Sequence, residues 1–253
     1  WMQDKNRPGV IASDSEHVIK IKWNDLEELE NLLSQGNNDI ACFISSPYDH
    51  PVSRDNSLPN KGYWEKVTSL CKKHGILTIV DDVRSGFRIN LKGSNVAFGF
   101  SPDMICFGKA IANGHPLASL VGKEEIRTAA ERVYFTGTQF FSAPPMAAAI
   151  ATLNELEKVD APKKLIDYGK NLNSRLEAVA SEKGFNLISS GVSSMPYYRL
   201  EGESFETHIK WIDECVKRGV YMLSYHNHFI SLAHKEEDID FIESAARQAF
   251  ESL

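Results

Sequence analysis

The chain has 253 residues, enough for one large domain or two modest ones, with 42% hydrophobic and 25% charged residues, as in ordinary globular proteins. Its formal net charge is -6 and no segment clusters Lys and Arg, which excludes the basic surface typical of nucleic-acid binding. No apolar run has the length of a membrane span. The 4 cysteines lack metal-ligand spacing, so we expect no metal site. We expect reduced thiols, with Cys42 and Cys106 buried, and a cytoplasmic setting.

The first half of the chain alternates helix and strand patterns. Residues 18–21 predict a short strand, and Asn24 is the expected N-cap of a helix that ends at Leu33. The elements predicted next are a strand at 40–44, a loop at 47–61, a helix at 63–73 that stops at Gly75, and strands at 76–80 and 104–107. This alternation of strand, helix and strand indicates a parallel sheet.

The second half begins with a strand predicted at 117–121 and an alanine-rich helix at 144–159. A break at residues 160–162, Asp-Ala-Pro, is the expected domain boundary, with a large domain at 1–159 and a small α+β domain at 160–253. The elements predicted in the small domain are helices at 163–183, 205–218 and 236–253 and strands at 195–200 and 220–223.

Two of the apolar runs end on groups of opposite charge. The strand at 76–80 leads into Asp81, and the strand at 104–107 leads through Gly108 into Lys109. In open α/β sheets, chemistry gathers at the carboxyl ends of the strands, so we expect the carboxylate and the amine to be neighbours. This is the pair that pyridoxal phosphate requires, because the amine condenses with the cofactor aldehyde and the carboxylate keeps the pyridine nitrogen protonated.

The residues around this pair resemble a known family. Residues 81–88, DDVRSGFR, are similar to the Asp-Glu-Val-x-Thr-Gly-Phe-Arg signature of class III aminotransferases, and residues 102–118 resemble their Pro-Asp … Gly-Lys … Gly-x-Pro-Leu segment. These fold-type-I pyridoxal phosphate enzymes include glutamate semialdehyde aminomutase. The resemblance continues through 136–138 and 233–240 and implies a mostly parallel α/β large domain plus a small α+β C-terminal domain. The first part of the family's large domain has no counterpart here, so we expect a C-terminal portion.

The resemblance assigns roles to the residues of the first signature and to the lysine. Lys109 would be the Schiff-base lysine, and its apolar flanks predict a desolvated amine of lowered pKa that also moves the substrate proton. Asp81 would hold the pyridine nitrogen, with a helix N-cap or turn aspartate as the alternative. Because two adjacent carboxylates repel each other, we also expect Arg84 or Arg88 to pair with Asp82.

Two further cofactor contacts are implied by the same family. Val83 would pack against one face of the cofactor ring, although a plain core valine is nearly as good an interpretation. Thr138, preferred to Thr136, would reach across a dimer interface to the partner subunit's cofactor phosphate, with a turn threonine as the alternative.

Other polar residues carry weaker predictions. Ser46 stands where many members of the family have Glu, which suggests a specialised substrate, and the loop that follows with Tyr48, Asp49 and His50 is expected to be solvated rather than to line a pocket. His234 is expected to cap the last helix. The pair His226 and His228 has no third ligand nearby in sequence, so it predicts no metal site, and three arginines stay open as clamps for a substrate carboxylate: Arg84, Arg88 and Arg199.

The favoured function is a pyridoxal phosphate-dependent aminotransferase that moves an amino group from an amine or amino acid donor to a carbonyl acceptor through a Lys109 Schiff base. The expected assembly is a homodimer with a shared active site. An aminomutase of the glutamate semialdehyde type would use the same residues. A non-catalytic scaffold subunit that lacks the full cofactor site is the remaining alternative.

Overall fold

The computed structural model describes Ser13, residues 16–36 and residues 39–253, and the chain divides into two compact units, 1–40 and 41–253. Within the described part of the first unit, helix α1 spans Leu26–Ser34.

Helix α1 begins one residue later than the sequence predicts. Its N-cap is Asp25, whose carboxylate accepts a hydrogen bond from the Glu28 backbone N–H at 2.9 Å, while Asn24 has a left-handed backbone. Its buried side chains are Leu29 and Leu33. The strand predicted at 18–21 is wrong, since a strand needs a paired neighbour and these residues are paired with none among those described.

The second unit begins with a four-stranded sheet in the order β1-β2-β3-β4. Its strands are β1 (Cys42–Ser45), β2 (Leu77–Asp81), β3 (Met104–Phe107) and β4 (Ser119–Gly122). The first three are parallel and β4 runs antiparallel to β3, which confirms the mostly parallel sheet.

Helix α2 (Tyr63–Lys73) connects β1 to β2 and ends just before Gly75, whose φ of +69° is left-handed. The Trp64 ring of α2 stacks on Phe100 with 4.2 Å between the ring centroids. The remaining helices of this region are α3 (Ser94–Ala97), two short 3₁₀ turns at Lys109–Ala112 and Glu124–Ile126, and α4 (Arg127–Ala130).

The rest of the unit is mainly helical and carries a two-stranded antiparallel sheet. Its elements are α5 (Ala143–Lys158), α6 (Ala161–Glu182), β5 (Asn186–Ser190), β6 (Tyr197–Glu201), α7 (Phe205–Lys217) and α8 (Glu236–Phe250). Leu176, Val179 and Leu200 pack with Trp211 and Ile239 in one buried core. The large and small domains at 1–159 and 160–253 remain a prediction.

Two predictions in this region are wrong, and one strand has no counterpart among the predicted elements. Residues 220–223 form no strand: Val220 and Met222 bury their side chains, but their backbone pairs with no strand among the described residues. Strand β5 was not predicted. Helix α8 is capped at Lys235, whose backbone N–H donates to the Asp238 carboxylate at 2.7 Å, whereas His234 bonds back to Ser231.

The two faces of the first sheet differ in exposure. Thr78 and Val80 of β2 are buried, but Asp81 lies on the opposite face, where Ile44 and Leu120 are each 59% exposed. This open face also explains why Cys42 is exposed, against the prediction of burial. All 4 cysteines are free, as expected, and no helix of the described residues is long and apolar enough to cross a membrane.

Candidate active site

The structure places Asp81 and Lys109 at the ends of neighbouring parallel strands. Asp81 is the last residue of β2 and pairs in register with Cys106 of β3, whose carbonyl accepts a hydrogen bond from the next backbone N–H, that of Asp82, at 3.0 Å. Lys109 follows two residues after the end of β3. A carboxylate and an amine are therefore presented at the same edge of the sheet, as the sequence predicts.

Val83 completes this group by packing against Gly108, the residue before Lys109. A Cβ added to Gly108 would come within 3.2 Å of the Val83 Cγ1 atom, closer than an ordinary carbon contact, so only glycine leaves the valine in this place. The Val83 backbone N–H donates to the Asp81 carboxylate at 3.1 Å. Val83 thus contacts the residue before the lysine through its methyl groups and the Asp81 carboxylate through its backbone.

Lys109 has a left-handed backbone, with φ of +47°, which a residue with a side chain adopts at a cost of roughly 1–3 kcal/mol. The turn that it begins is anchored by Ile111 and Ala112, which are buried against Phe107. The anchored turn leaves Lys109 itself exposed. The prediction of a desolvated amine is therefore wrong for this structure, because the apolar flanks bury themselves and not the lysine.

Asp82 differs from Asp81 in its partners. It is 1% exposed and its carboxylate accepts hydrogen bonds from the Ser85 hydroxyl at 2.6 Å and from the Ser94 hydroxyl and backbone N–H, both at 2.7 Å. Burial raises the pKa of Asp82, and these donors oppose that rise. The predicted pairing of Asp82 with an arginine is wrong, since its carboxylate is bonded by two serines. Of the two adjacent carboxylates, Asp81 is the exposed one.

Arg84 and Arg88 instead bind neutral oxygen atoms. Arg84 Nη1 donates to the His50 carbonyl at 2.8 Å and to Asn227 Oδ1 at 3.1 Å. Arg88 Nε donates to the Arg84 carbonyl at 2.9 Å, and its guanidinium lies 4.8 Å from the centroid of the Phe229 ring. Burial lowers the pKa of both guanidinium groups.

Arg199, the third arginine considered as a clamp, is neutralised within the chain. Its Nε and Nη2 atoms donate to the two carboxylate oxygens of Asp55 at 2.9 and 2.8 Å. This bidentate pairing leaves Arg199 without a free charge for a substrate.

The loop after β1 is buried at Tyr48 and partly buried at Asp49 and His50, contrary to the prediction that these residues are solvated. Tyr48 is 0% exposed, and its ring meets the His50 ring with 5.0 Å between the centroids. Burial, reinforced by the charge of Arg84, lowers the pKa of His50 to about 4. The Trp64 indole N–H donates to the Pro47 carbonyl at 2.8 Å, a contact 17 residues apart that no local pattern in the sequence indicates.

The histidine pair lies beside a cavity of about 460 Å³ in the last third of the chain. His228 Nε2 accepts a hydrogen bond from the Leu223 backbone N–H at 3.2 Å, and burial lowers the pKa of His228 to about 4. Apolar side chains dominate the lining: Leu172, Leu176, Val220, Met222, Ile230 and Ile242. No group of three metal-ligating side chains is found among the residues that the structure covers.

Thr138 is not brought to Asp81 and Lys109. It lies between α4 and α5 in the segment 131–141, where every residue is exposed. The side chains of Tyr134 and Phe141 in this segment are 93% and 88% exposed.

The chemistry of the open groups fits pyridoxal phosphate. An exposed amine can reach an aldehyde, and an exposed carboxylate one strand away can hold a ring nitrogen. Asp82 could not, because it is buried and already accepts hydrogen bonds from two serines. Gly108 leaves room next to the Val83 methyl groups, which offer an apolar surface for a ring.

Several known proteins are similar in sequence to this chain. The family model described as Aminotransferase class-III matches residues 6–239. "Aminopentol aminotransferase" of Sphingopyxis macrogoltabida is 35% identical over 246 residues, which cover 97% of this chain and 58% of that protein. Glutamate-1-semialdehyde 2,1-aminomutase of Natranaerobius thermophilus is 33% identical over 251 residues, with 92% and 57% covered.

Solved structures show the same fold. The pyridoxal phosphate-bound FumI protein of Sphingopyxis sp. MTA144 superposes with a TM-score of 0.95 at 34% identity, covering 100% of this chain and 61% of that one. A transaminase with pyridoxal phosphate bound has a TM-score of 0.84 at 19% identity, which supports the fold alone. The chain spans about three fifths of the length of these relatives.

Proposed function

The chain belongs to the class III aminotransferase family, whose structures share the fold-type-I architecture, and we propose that the protein is a pyridoxal phosphate-dependent aminotransferase. It would move an amino group from an amine or amino acid donor to a carbonyl acceptor. The observation that carries this proposal is the open pair of Asp81 and Lys109 at neighbouring strand ends, with Val83 packed against Gly108 beside them.

Lys109, Asp81 and Val83 each have a role in the proposed reaction. When bound, the cofactor supplies an aldehyde for amines and a ring that withdraws electrons from the substrate carbon. Lys109 would hold the cofactor through its Nζ atom, and the same atom would carry a proton to and from the substrate carbon. The Asp81 carboxylate would keep the ring nitrogen protonated, and the Val83 methyl groups would offer the ring an apolar contact.

A homodimer with a shared active site is part of this proposal. Monomeric proteins rarely expose several large apolar side chains together, and the segment that carries Thr138 exposes Tyr134 and Phe141 almost fully. Thr138 of each subunit would bind the cofactor phosphate of the partner from this segment. The free cysteines support a reducing, cytoplasmic setting.

Amino transfer is tested by following labelled nitrogen. The protein is loaded with pyridoxal phosphate and given a panel of donors that carry isotopically labelled nitrogen, with pyruvate as acceptor. We expect labelled alanine with the wild type and with Lys158→Ala, a control at an exposed lysine, but not with Lys109→Ala. Absence of labelled alanine with every donor would contradict an aminotransferase.

An aminomutase is the second candidate, because relatives of that name reach 33% identity. It would use Asp81 and Lys109 in the same way, but one substrate would serve as both donor and acceptor. Glutamate 1-semialdehyde distinguishes the two functions: label that moves between carbon atoms of this substrate, with none in alanine, would identify the aminomutase. A protein that binds no cofactor and transfers no label would instead be a scaffold subunit.

A further inference from the structure

Two partly buried arginines have no carboxylate partner among the residues that the structure describes. Within the residues that the structure covers, six arginines are partly buried, and four of them form ion pairs with Asp or Glu: Arg175, Arg199, Arg218 and Arg247. The other two are Arg84 and Arg88, and no carboxylate oxygen of those residues lies within 4.0 Å of either guanidinium. Keeping a charge away from water without a partner is unfavourable, so an arginine in this state is suited to an anion that arrives from outside.

We propose that Arg84 and Arg88 form an anion subsite that binds a carboxylate group of the substrate, an assignment that rests on the aminotransferase function proposed above. The two side chains are held by neutral acceptors, which fix their position without consuming their charge. Arg84 uses only Nη1 for its bonds to His50 and Asn227, and Arg88 uses only Nε for its bond to Arg84. The other guanidinium nitrogens have no bond to the residues that the structure covers.

Neighbouring acidic groups do not neutralise this pair. The Asp82 carboxylate accepts hydrogen bonds from Ser85 and Ser94. Tyr48 stays neutral because burial raises the pKa of its hydroxyl. Asp81 acts on Arg84 through its charge but does not reach ion-pair distance, and the proposed reaction assigns Asp81 to the cofactor ring. A positive charge therefore remains available three residues beyond Asp81.

The geometry favours a carboxylate. A guanidinium presents parallel N–H groups that match the two oxygens of a carboxylate, and the stacking of Arg88 on Phe229 keeps its planar group oriented. Phosphate has related oxyanion chemistry, and the phosphate of the cofactor is a second source of it. Binding of the cofactor must therefore be measured separately from binding of the substrate.

The first experiment needs no catalysis. Pyruvate is titrated into the protein without added cofactor by calorimetry, and acetone, which has a methyl group in place of the carboxylate, is titrated in parallel. We expect Arg84→Gln and Arg88→Gln to weaken pyruvate binding by roughly 10- to 100-fold, because hydrogen bonds to a charged group are lost, and to leave acetone binding unchanged. The control Arg127→Gln removes the same charge at an exposed, ion-paired position and should leave the binding of both compounds unchanged.

Arg84→Lys guards against misfolding, because it keeps the charge but loses the paired N–H groups. We expect this variant to lose an intermediate amount of pyruvate affinity. Absence of wild-type pyruvate binding, or equal affinity in wild type and both glutamine variants, would overturn the subsite. A loss confined to pyridoxal phosphate affinity would also overturn it, because the pair would then serve the cofactor. If pyruvate binding depends on Arg84 but Lys109 forms no adduct with cofactor, the proposed function fails while the anion subsite stands.

Discussion

Replacement of Gly108 by alanine tests the contact that positions Val83 beside Lys109. The new Cβ would lie 3.2 Å from Val83 Cγ1 and 3.7 Å from Cγ2, and contacts between 3.4 and 4 Å are ordinary, so the valine must move by a few tenths of an ångström. Valine is stiff about χ1 and cannot rotate away cheaply. The overpacking costs roughly 1–3 kcal/mol.

Part of this cost is offset in the unfolded chain. The Gly108 backbone has φ of -169°, extended geometry that alanine adopts without strain, so the substitution gains about 0.4–1 kcal/mol from reduced unfolded-state entropy. The expected net change in the free energy of unfolding is a loss of roughly 0.5–2 kcal/mol. Because the displaced valine faces the proposed cofactor, affinity for pyridoxal phosphate should fall as well.

Urea unfolding and a cofactor titration measure both effects. Gly122→Ala is the matched control, since its added Cβ meets nothing closer than 3.5 Å, and we expect it to be nearly neutral. Val83→Ala should relieve the contact, so the double variant should recover stability relative to the sum of the single changes. Equal stability of the Gly108 and Gly122 variants, with additive effects of Gly108→Ala and Val83→Ala, would refute the assigned contact.

Two further predictions concern the carboxylates and the buried histidines. Asp82→Asn should lower the free energy of unfolding by roughly 2–4 kcal/mol, because an asparagine amide cannot accept from all three serine donors. Asp81→Asn should stay within about 0.5 kcal/mol of wild type in urea unfolding. Similar losses of stability in both variants would contradict this contrast. In the folded protein the pKa values of His50 and His228 are lowered to about 4, below the value in the unfolded chain. The unfolded chain therefore binds more protons between about pH 4 and about pH 6.5, so stability should rise with pH across this window. Urea midpoints at both ends of the window check this, and a flat profile, or one unchanged by His228→Asn, would argue against neutral buried histidines.

The elements that the sequence predicts best are those with local signals. Helix α2 and strand β3 have the predicted bounds, because Gly75 ends the helix with a left-handed backbone and a short apolar run bounded by polar residues defines the strand. Strand β5 has no such signal: its sequence NLISS is polar enough for a turn, and it becomes a strand only by pairing with β6.

The site divides in the same way. The order of Asp81 and Lys109 along two strands is readable from the sequence, since parallel strands align their ends. The partners of Asp82 and Arg84 are not readable, because Ser94 is 12 residues away from Asp82 and Asn227 is 143 residues away from Arg84. Tertiary contacts therefore decide which carboxylate stays exposed and which arginine forms no ion pair.

The central claim is that Lys109 is the residue that holds pyridoxal phosphate. The direct measurement is the absorbance spectrum of the protein with pyridoxal phosphate before and after borohydride reduction, followed by peptide mapping of the adduct. We expect a visible band that reduction abolishes, with the pyridoxyl group on Lys109 alone and a weaker band in Asp81→Asn. A band that persists in Lys109→Ala, or an adduct spread over surface lysines, would contradict this assignment.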